Sequence, residues 1–471
     1  MAIRGGAIRV LGYLAGVSVS LGAAAILVRH LGISGFGRYL TVVSLIALVG
    51  GATEAGIAVY GIREFGARAD ADRRKLMADL LGMRLFLTAL GIGGAILFGL
   101  VAHYRGVLVL GTLVAGIGLL VQVVIDVLSI PLQSKLLLGR LTIVDLTRRI
   151  VALLVIAGLA IAGASLLPFL AVPIAAGTVA LLLLAWMVRS SVTVSATWDW
   201  RRWRALFAET IPFALAVSIA AIYFYVTIII MSLIASALQT GYFATSFRVT
   251  QVALAIPGLA LTAIFPLMTR ERDDHGPQLR ETLGRIFDVA LIFGIWMSLA
   301  MALGAGVIID VIAGAHRGHG AVSVLRIQGV VLTASFVSVS SMFGLLALRR
   351  YRQMLVATSS ALLLNIGLGV ILIPDLGARG GAIADVVTET AMALGLTVAL
   401  TKAVPRHGIS ASVVPAVILA AAFASAVWLL PIGAVASVVL ATVIYFGILL
   451  IMGTIPAEVT KAARRLPTVR G

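Results

Sequence analysis

The chain has 471 residues, of which 61% are hydrophobic and only 12% charged, and its mean hydropathy is +1.12. That balance excludes a soluble globular domain and points to an integral membrane protein. The net charge of +17 then reads as membrane topology rather than nucleic-acid binding, and the absence of cysteine excludes disulfides, thiol chemistry and Cys-ligated metal.

A bilayer-crossing helix needs about 20 mostly apolar residues. Fourteen stretches meet that need: 10–28, 39–61, 85–104, 107–132, 150–167, 169–188, 211–235, 242–268, 286–309, 327–348, 354–373, 380–400, 411–430 and 432–455. They are long unbroken runs, not the ten-residue alternating segments of a membrane β-barrel, so the expected class is all-α. Arg4 and Arg9 before the first run, with small residues at 23–25, resemble a signal peptide. The run continues to Val28 and many spans follow, so it is read as a retained first helix.

Lysine and arginine are sorted between these spans. Every second gap, starting with the N-terminus, together holds 29 of the 36, and the other 7 lie on the opposite side, six in the intervening gaps and Arg248 in the outer part of span 8. An excess of positive charge in alternate loops marks the cytoplasmic side and predicts that both termini lie there.

Between spans 6 and 7, Trp198, Trp200 and Trp203 interleave with Arg201, Arg202 and Arg204. Aromatic and basic residues mixed at a membrane edge predict a helix in the headgroup region. The expected organisation is an N-lobe of six spans (1–190), this interfacial linker (191–210), a C-lobe of six spans (211–403), and two further spans with a basic tail (404–471). The two lobes show related junctions. Ser34-Gly35-Phe36 matches Thr240-Gly241-Tyr242, and the basic segment 131–140 before span 5 matches 344–352 before span 11. Parallel repeats about an axis along the membrane normal are a transporter plan, with the substrate path between the lobes.

Residues 364–389 carry Asn365, Ile373-Pro374, Gly377 and Gly380-Gly381-Ala382-Ile383-Ala384. The order resembles the hairpin between spans 11 and 12 of the Wzx-type polysaccharide flippases, in the multidrug/oligosaccharidyl-lipid/polysaccharide exporter superfamily. Leu31-Gly32 through Gly35-Phe36-Gly37-Arg38-Tyr39, and Gly241-Tyr242-Phe243 through Arg248 to Phe265-Pro266, extend that resemblance over nearly the whole chain. It implies a bacterial cytoplasmic-membrane protein that moves a polyprenyl-pyrophosphate-linked oligosaccharide. Its partners would be that lipid, membrane lipids, and polymerase and glycosyltransferases of the same pathway, with no cofactor and no nucleic acid. Pro374 lacks an N–H and predicts the end of span 11.

Ionisable residues inside spans are costly and mark partners or water-filled cavities. Arg248 stands about two turns into span 8, where a guanidinium suits a bidentate grip on phosphate or an acidic structural partner. Arg29 and Arg38 stand at the outer mouth of spans 1 and 2, facing the same vestibule or snorkelling to headgroups. Asp385 and Glu389 share one face of span 12, placed to hold a coupling cation or to neutralise Arg248 or Arg379. Glu54 lies among small residues where the resembled flippases often carry an acid. Asp126 shares a face with Gln122, and Arg140, Arg148 and Arg149 stand at the cytoplasmic entrance. Two other functions stay open: a drug or cation antiporter of the same superfamily, and a membrane glycosyltransferase or polymerase. His316, Arg317 and His319, in the longest outer gap near Asp310, have no further ligand cluster and read as a solvated loop. No Gly-rich Lys-Ser/Thr nucleotide motif is present.

Overall fold

The computed structural model describes residues 2–54, 57–189, 197–271, 277–315, 318–405, 410 and 412–454. Among them are fifteen α-helices, one 3-10 turn and no strand. Helix covers most of the described residues in each predicted span. Among the described residues ten helices are long and apolar enough to cross a membrane by length and composition, and 218–234 and 413–429 form shorter apolar ones.

α1 (Ala2–Glu54) contains the first two predicted spans and is interrupted only at Gly32, whose φ of 71° and ψ of 169° leave the helical region. Glycine takes that conformation without the Cβ penalty of other residues. α2 (Ile57–Ala67) and α3 (Asp70–Val101) occupy most of a stretch expected as a basic loop. α4 (Gly106–Ser134), α5 (Leu138–Ile161), α6 (Leu166–Leu170) and α7 (Val172–Val188) follow. α8 (Trp200–Ile234) is continuous, so Trp200 to Arg204 form its first turn and Trp198 stands just before its cap. Asp199 caps it, accepting from the backbone N–H groups of Arg201 and Arg202.

α9 (Ala237–Glu271), α10 (Pro277–Ala313), α11 (His319–Ala347), α12 (Tyr351–Leu376), α13 (Ala378–Ala403), α14 (Val413–Ser425) and α15 (Ala434–Ile451) complete the chain. Pro374 does not end α12 as expected. It sits inside the last turn, where the missing N–H costs one hydrogen bond, and the break comes at Gly377 with φ 56° and ψ −131°. Just beyond, a Cβ on Gly380 would lie 2.2 Å from the Leu372 carbonyl oxygen, so only glycine lets α13 start this close to α12.

The chain divides into two compact units, Met1–Thr245 and Ser246–Gly471. In the first, α1 packs against α8 and α5, and α4 packs against α3 and α7. Near the end of this unit Gly241 meets α1 so closely that an added Cβ would stand 2.2 Å from the Ile33 carbonyl oxygen. Gly37 faces Gly241 from the other side, its own Cβ position 2.7 Å from the Gly241 nitrogen. In the second unit, α11 packs between α10 and α13, α12 packs on α13, and α14 and α15 close on α10.

The two junctions matched in the sequence share a helix-ending turn, one that also follows α3, α5 and α15 at His103, Gly163 and Gly453. After α4, Leu136 takes φ 55°, and after α11, Arg349 takes φ 56°. Leu136 and Leu137 donate to the carbonyls of Gln133 and Leu132, and Arg349 and Arg350 donate to those of Leu346 and Leu345. Both turns end in a residue with ψ near 50° that opens the next helix. Neither left-handed residue is glycine, so both turns accept a local conformational cost.

Candidate functional site

In the first unit a chain of polar side chains links three helices. α4 carries Gln122, Asp126, Ser129 and Gln133 at spacings of four, three and four, which place them on one face. Arg84 of α3 is 3% exposed, and its Nη2 donates to Asp126 Oδ2 at 2.7 Å. Gln122 Nε2 donates to Asp126 Oδ1 at 2.7 Å. Arg148 of α5 donates from Nη1 to Gln122 Oε1, and its Nη2 is 2.9 Å from Asp145 Oδ1. Arg149 donates to the Gly16 carbonyl oxygen at 3.3 Å. Gln133 donates to Ser129, which donates to the Asp126 carbonyl.

A buried guanidinium is tolerated only when a carboxylate and further hydrogen bonds offset its desolvation. Asp126 supplies the charge, while the Arg84 Nε remains buried without a hydrogen-bond partner. The structure therefore gathers Asp126 and Arg148, two of the expected site residues, through Gln122. Arg84 is not legible as a site residue in the sequence, because it closes the basic gap between spans 2 and 3. Its placement four turns into α3 is what buries it.

Four other expected residues lie apart from this network. Arg29 and Arg38, on either side of the Gly32 break, Arg140 near the start of α5, and Glu54, the last residue of α1, are exposed. Near Glu54, Thr53 accepts from Thr88 at 3.1 Å, and Ser218 donates to the Ala52 carbonyl.

The second unit has its own polar layer. Arg248 is half-buried, and its Nη1 donates to Gln251 Oε1 at 2.7 Å, one turn along α9. Asp385 accepts from Asn365 Nδ2 at 3.2 Å, bridging α12 and α13. Glu389 is 8% exposed and accepts from the Ser338 hydroxyl at 2.5 Å, bridging α11 and α13. Arg379 donates to Ser323 Oγ at 3.0 Å. The hydroxyl stripe of α11, Ser335, Ser338 and Ser341 at spacings of three, is buried and is not legible in the sequence. Single serines in an apolar run carry little signal until a partner acid is placed opposite them.

His316 and Arg317 lie outside the described residues. Among the described residues no group of three or more His, Asp or Glu side chains is arranged to hold a metal ion.

Solved structures show the fold. The lipid II flippase MurJ in an inward closed conformation aligns with a TM-score of 0.75 at 12% identity, over 94% of this chain and 98% of that one. A multidrug resistance MATE family transporter of the MOP superfamily, inward-facing, aligns with a TM-score of 0.66 at 12% identity, over 83% and 94%. A MOP superfamily transporter from Pyrococcus furiosus aligns with a TM-score of 0.58 at 17% identity, over 84% and 94%. No curated protein matches by sequence. The family model described as polysaccharide biosynthesis protein matches residues 26–317. The chain is thus a multi-pass membrane protein with the transporter fold of the MOP superfamily, and it belongs to the family of polysaccharide biosynthesis proteins.

Proposed function

We propose that this protein is a flippase that carries a polyprenyl-pyrophosphate-linked oligosaccharide from the cytoplasmic to the outer leaflet, for cell-surface polysaccharide synthesis. The observation that carries the reading is the match of a polysaccharide biosynthesis family to a chain with the fold of a lipid II flippase. Six-span lobes at 1–190 and 211–403, joined through 191–210, rock to give alternating access, and 404–471 stands outside the pair. The protein sits in the bacterial inner membrane with both termini cytoplasmic.

Arg248 grips the pyrophosphate, which a planar guanidinium can hold in two places at once. Arg29 and Arg38 draw the anion toward the outer mouth, and Arg140, Arg148 and Arg149 collect it at the cytoplasmic entrance. Glu54 and Asp126 contact the sugars or order the polar wall. An inside-negative potential assists outward movement of an anion by about 2.3 kcal/mol per charge per 100 mV. Polymerase and glycosyltransferases of the same pathway supply and consume the cargo.

A second reading is a drug or cation antiporter, favoured by the MATE-like fold and by two acids, Asp385 and Glu389, on one helix. Proteoliposomes separate the two. Flipping of a lipid-linked oligosaccharide without drug–proton exchange supports the first, and exchange without lipid translocation overturns it.

A further inference from the structure

Between α12 and α13 lies a cavity of about 490 Å³, within the size range of small-molecule sites. One wall is the face of α12 that carries Gln353, Ala357, Ser360 and Leu364, and the other is Ala391, Gly395 and Ala399 of α13. The spacings of four, three and four on α12, and of four on α13, make each wall a single helix stripe. Small side chains along the seam keep the helices from filling it. A Cβ on Gly395 would meet nothing within 4 Å, so the space is open at that point.

The charge is at one end. Arg352 lines the mouth, Arg349 and Arg350 precede it at the start of α12, and Lys402 lies in the last turn of α13, all exposed. No acidic residue lines the cavity. Apolar neighbours on the same two helices are also open, including Val356 at 57% and Leu394 at 63% exposure. The site thus combines an acyl-sized apolar trough with a cationic rim, the arrangement by which basic pockets between membrane helices recognise anionic lipid headgroups.

We infer that the seam between α12 and α13 is a binding site for one anionic phospholipid, with an acyl chain in the Gly395 trough and the phosphate at Arg352. Arg352 acts there as a headgroup ligand rather than only as a topology signal. The inference concerns the second unit alone and does not depend on what the protein transports.

Native mass spectrometry of the full chain in detergent, with phosphatidylglycerol or phosphatidylcholine added, tests it. The wild type is expected to retain one phosphatidylglycerol in preference to phosphatidylcholine. Gly395→Leu fills the trough and is expected to lose that bound lipid. Arg352→Gln is expected to reduce the phosphatidylglycerol preference about fivefold, the worth of one basic side chain at an anionic surface. If Gly395→Leu fails to fold, Arg352→Gln decides alone. Unchanged retention in a folded Gly395→Leu, or an unchanged preference in Arg352→Gln, overturns the inference. So does displacement of the phospholipid from this site by polyprenyl phosphate, which would make the trough a seat for the cargo's tail.

Discussion

Arg84 and Asp126, 42 residues apart, meet at 2.7 Å, and through Gln122 and Arg148 this pair ties α3, α4 and α5 into one polar chain. The Arg84 side chain is 4% exposed and that of Asp126 32%, so the arginine depends on a carboxylate that keeps some access to its surroundings. The asymmetry leaves Asp126, not Arg84, the member of the pair open to its surroundings.

Removing the carboxylate leaves an unpaired buried cation. Asp126→Ala is expected to cost about 3 kcal/mol of stability. The double change Arg84→Met with Asp126→Leu should recover much of it, because it removes both charges. Thermal unfolding in detergent measures both, and a double variant no more stable than the single one refutes the pairing as the cause.

Gly241 packs against the Ile33 carbonyl with no room for a Cβ. Gly241→Ala forces α1 and α9 apart and is expected to cost roughly 1–3 kcal/mol, the range for overpacking a tight contact. Gly258, where a Cβ meets nothing within 4 Å, provides the control: Gly258→Ala should leave the melting temperature unchanged or slightly higher.

Gly377 breaks α12 with a backbone conformation that disfavours any side chain. Gly377→Ala should lose roughly 1–3 kcal/mol. Pro374→Ala, in the same turn, should be neutral or slightly stabilising, because α12 already continues past it. Equal losses at the two positions would show that the proline, not the glycine, sets the helix end.

Glu389 accepts a 2.5 Å hydrogen bond from Ser338 in a buried layer. Glu389→Gln keeps an acceptor for that hydroxyl and should preserve folding, whereas Glu389→Ala leaves Ser338 only its longer bond to the Ser335 carbonyl (3.2 Å) and should cost about 1 kcal/mol. If transport exchanges a cation at this acid, Glu389→Gln also abolishes the dependence of flipping on an imposed ion gradient. Flipping that tracks the gradient unchanged in Glu389→Gln removes the acid from coupling.

Arg248→Ala is expected to abolish translocation while the protein still inserts and folds. Arg248→Lys should retain only part of the activity, since an ammonium cannot reproduce a bidentate grip. The assay is protection of a lipid-linked oligosaccharide in proteoliposomes, with size-exclusion profiles as the folding control. Undiminished flipping by the alanine variant refutes the role.

Much of the architecture is legible in the sequence. Apolar run length identifies helices because a bilayer admits only helices and closed barrels, and these runs are too long and unbroken for barrel strands. The segments 131–140 and 344–352 match in sequence and contain the same left-handed turn at Leu136 and Arg349, a turn that other helix ends also use. Gln122 and Asp126 were readable as one face from their spacing alone. Arg84 was not, because burial depends on where its helix starts, and Asp70 begins α3 inside a stretch whose charge resembles a loop. Pro374 misled for a related reason: a proline in a final turn costs one hydrogen bond that neighbouring packing can offset.

The sequence by itself determined the helical class, the segments that are apolar enough to lie in a membrane, and the sorting of basic charge between them. Those properties are local, and each follows from the transfer of a short segment out of water. Only the tertiary structure decided which polar groups meet: Arg84 with Asp126, Glu389 with Ser338, Asn365 with Asp385. Such pairs join helices far apart in the chain, and a buried charge is stable only where another helix brings its partner within about 3 Å.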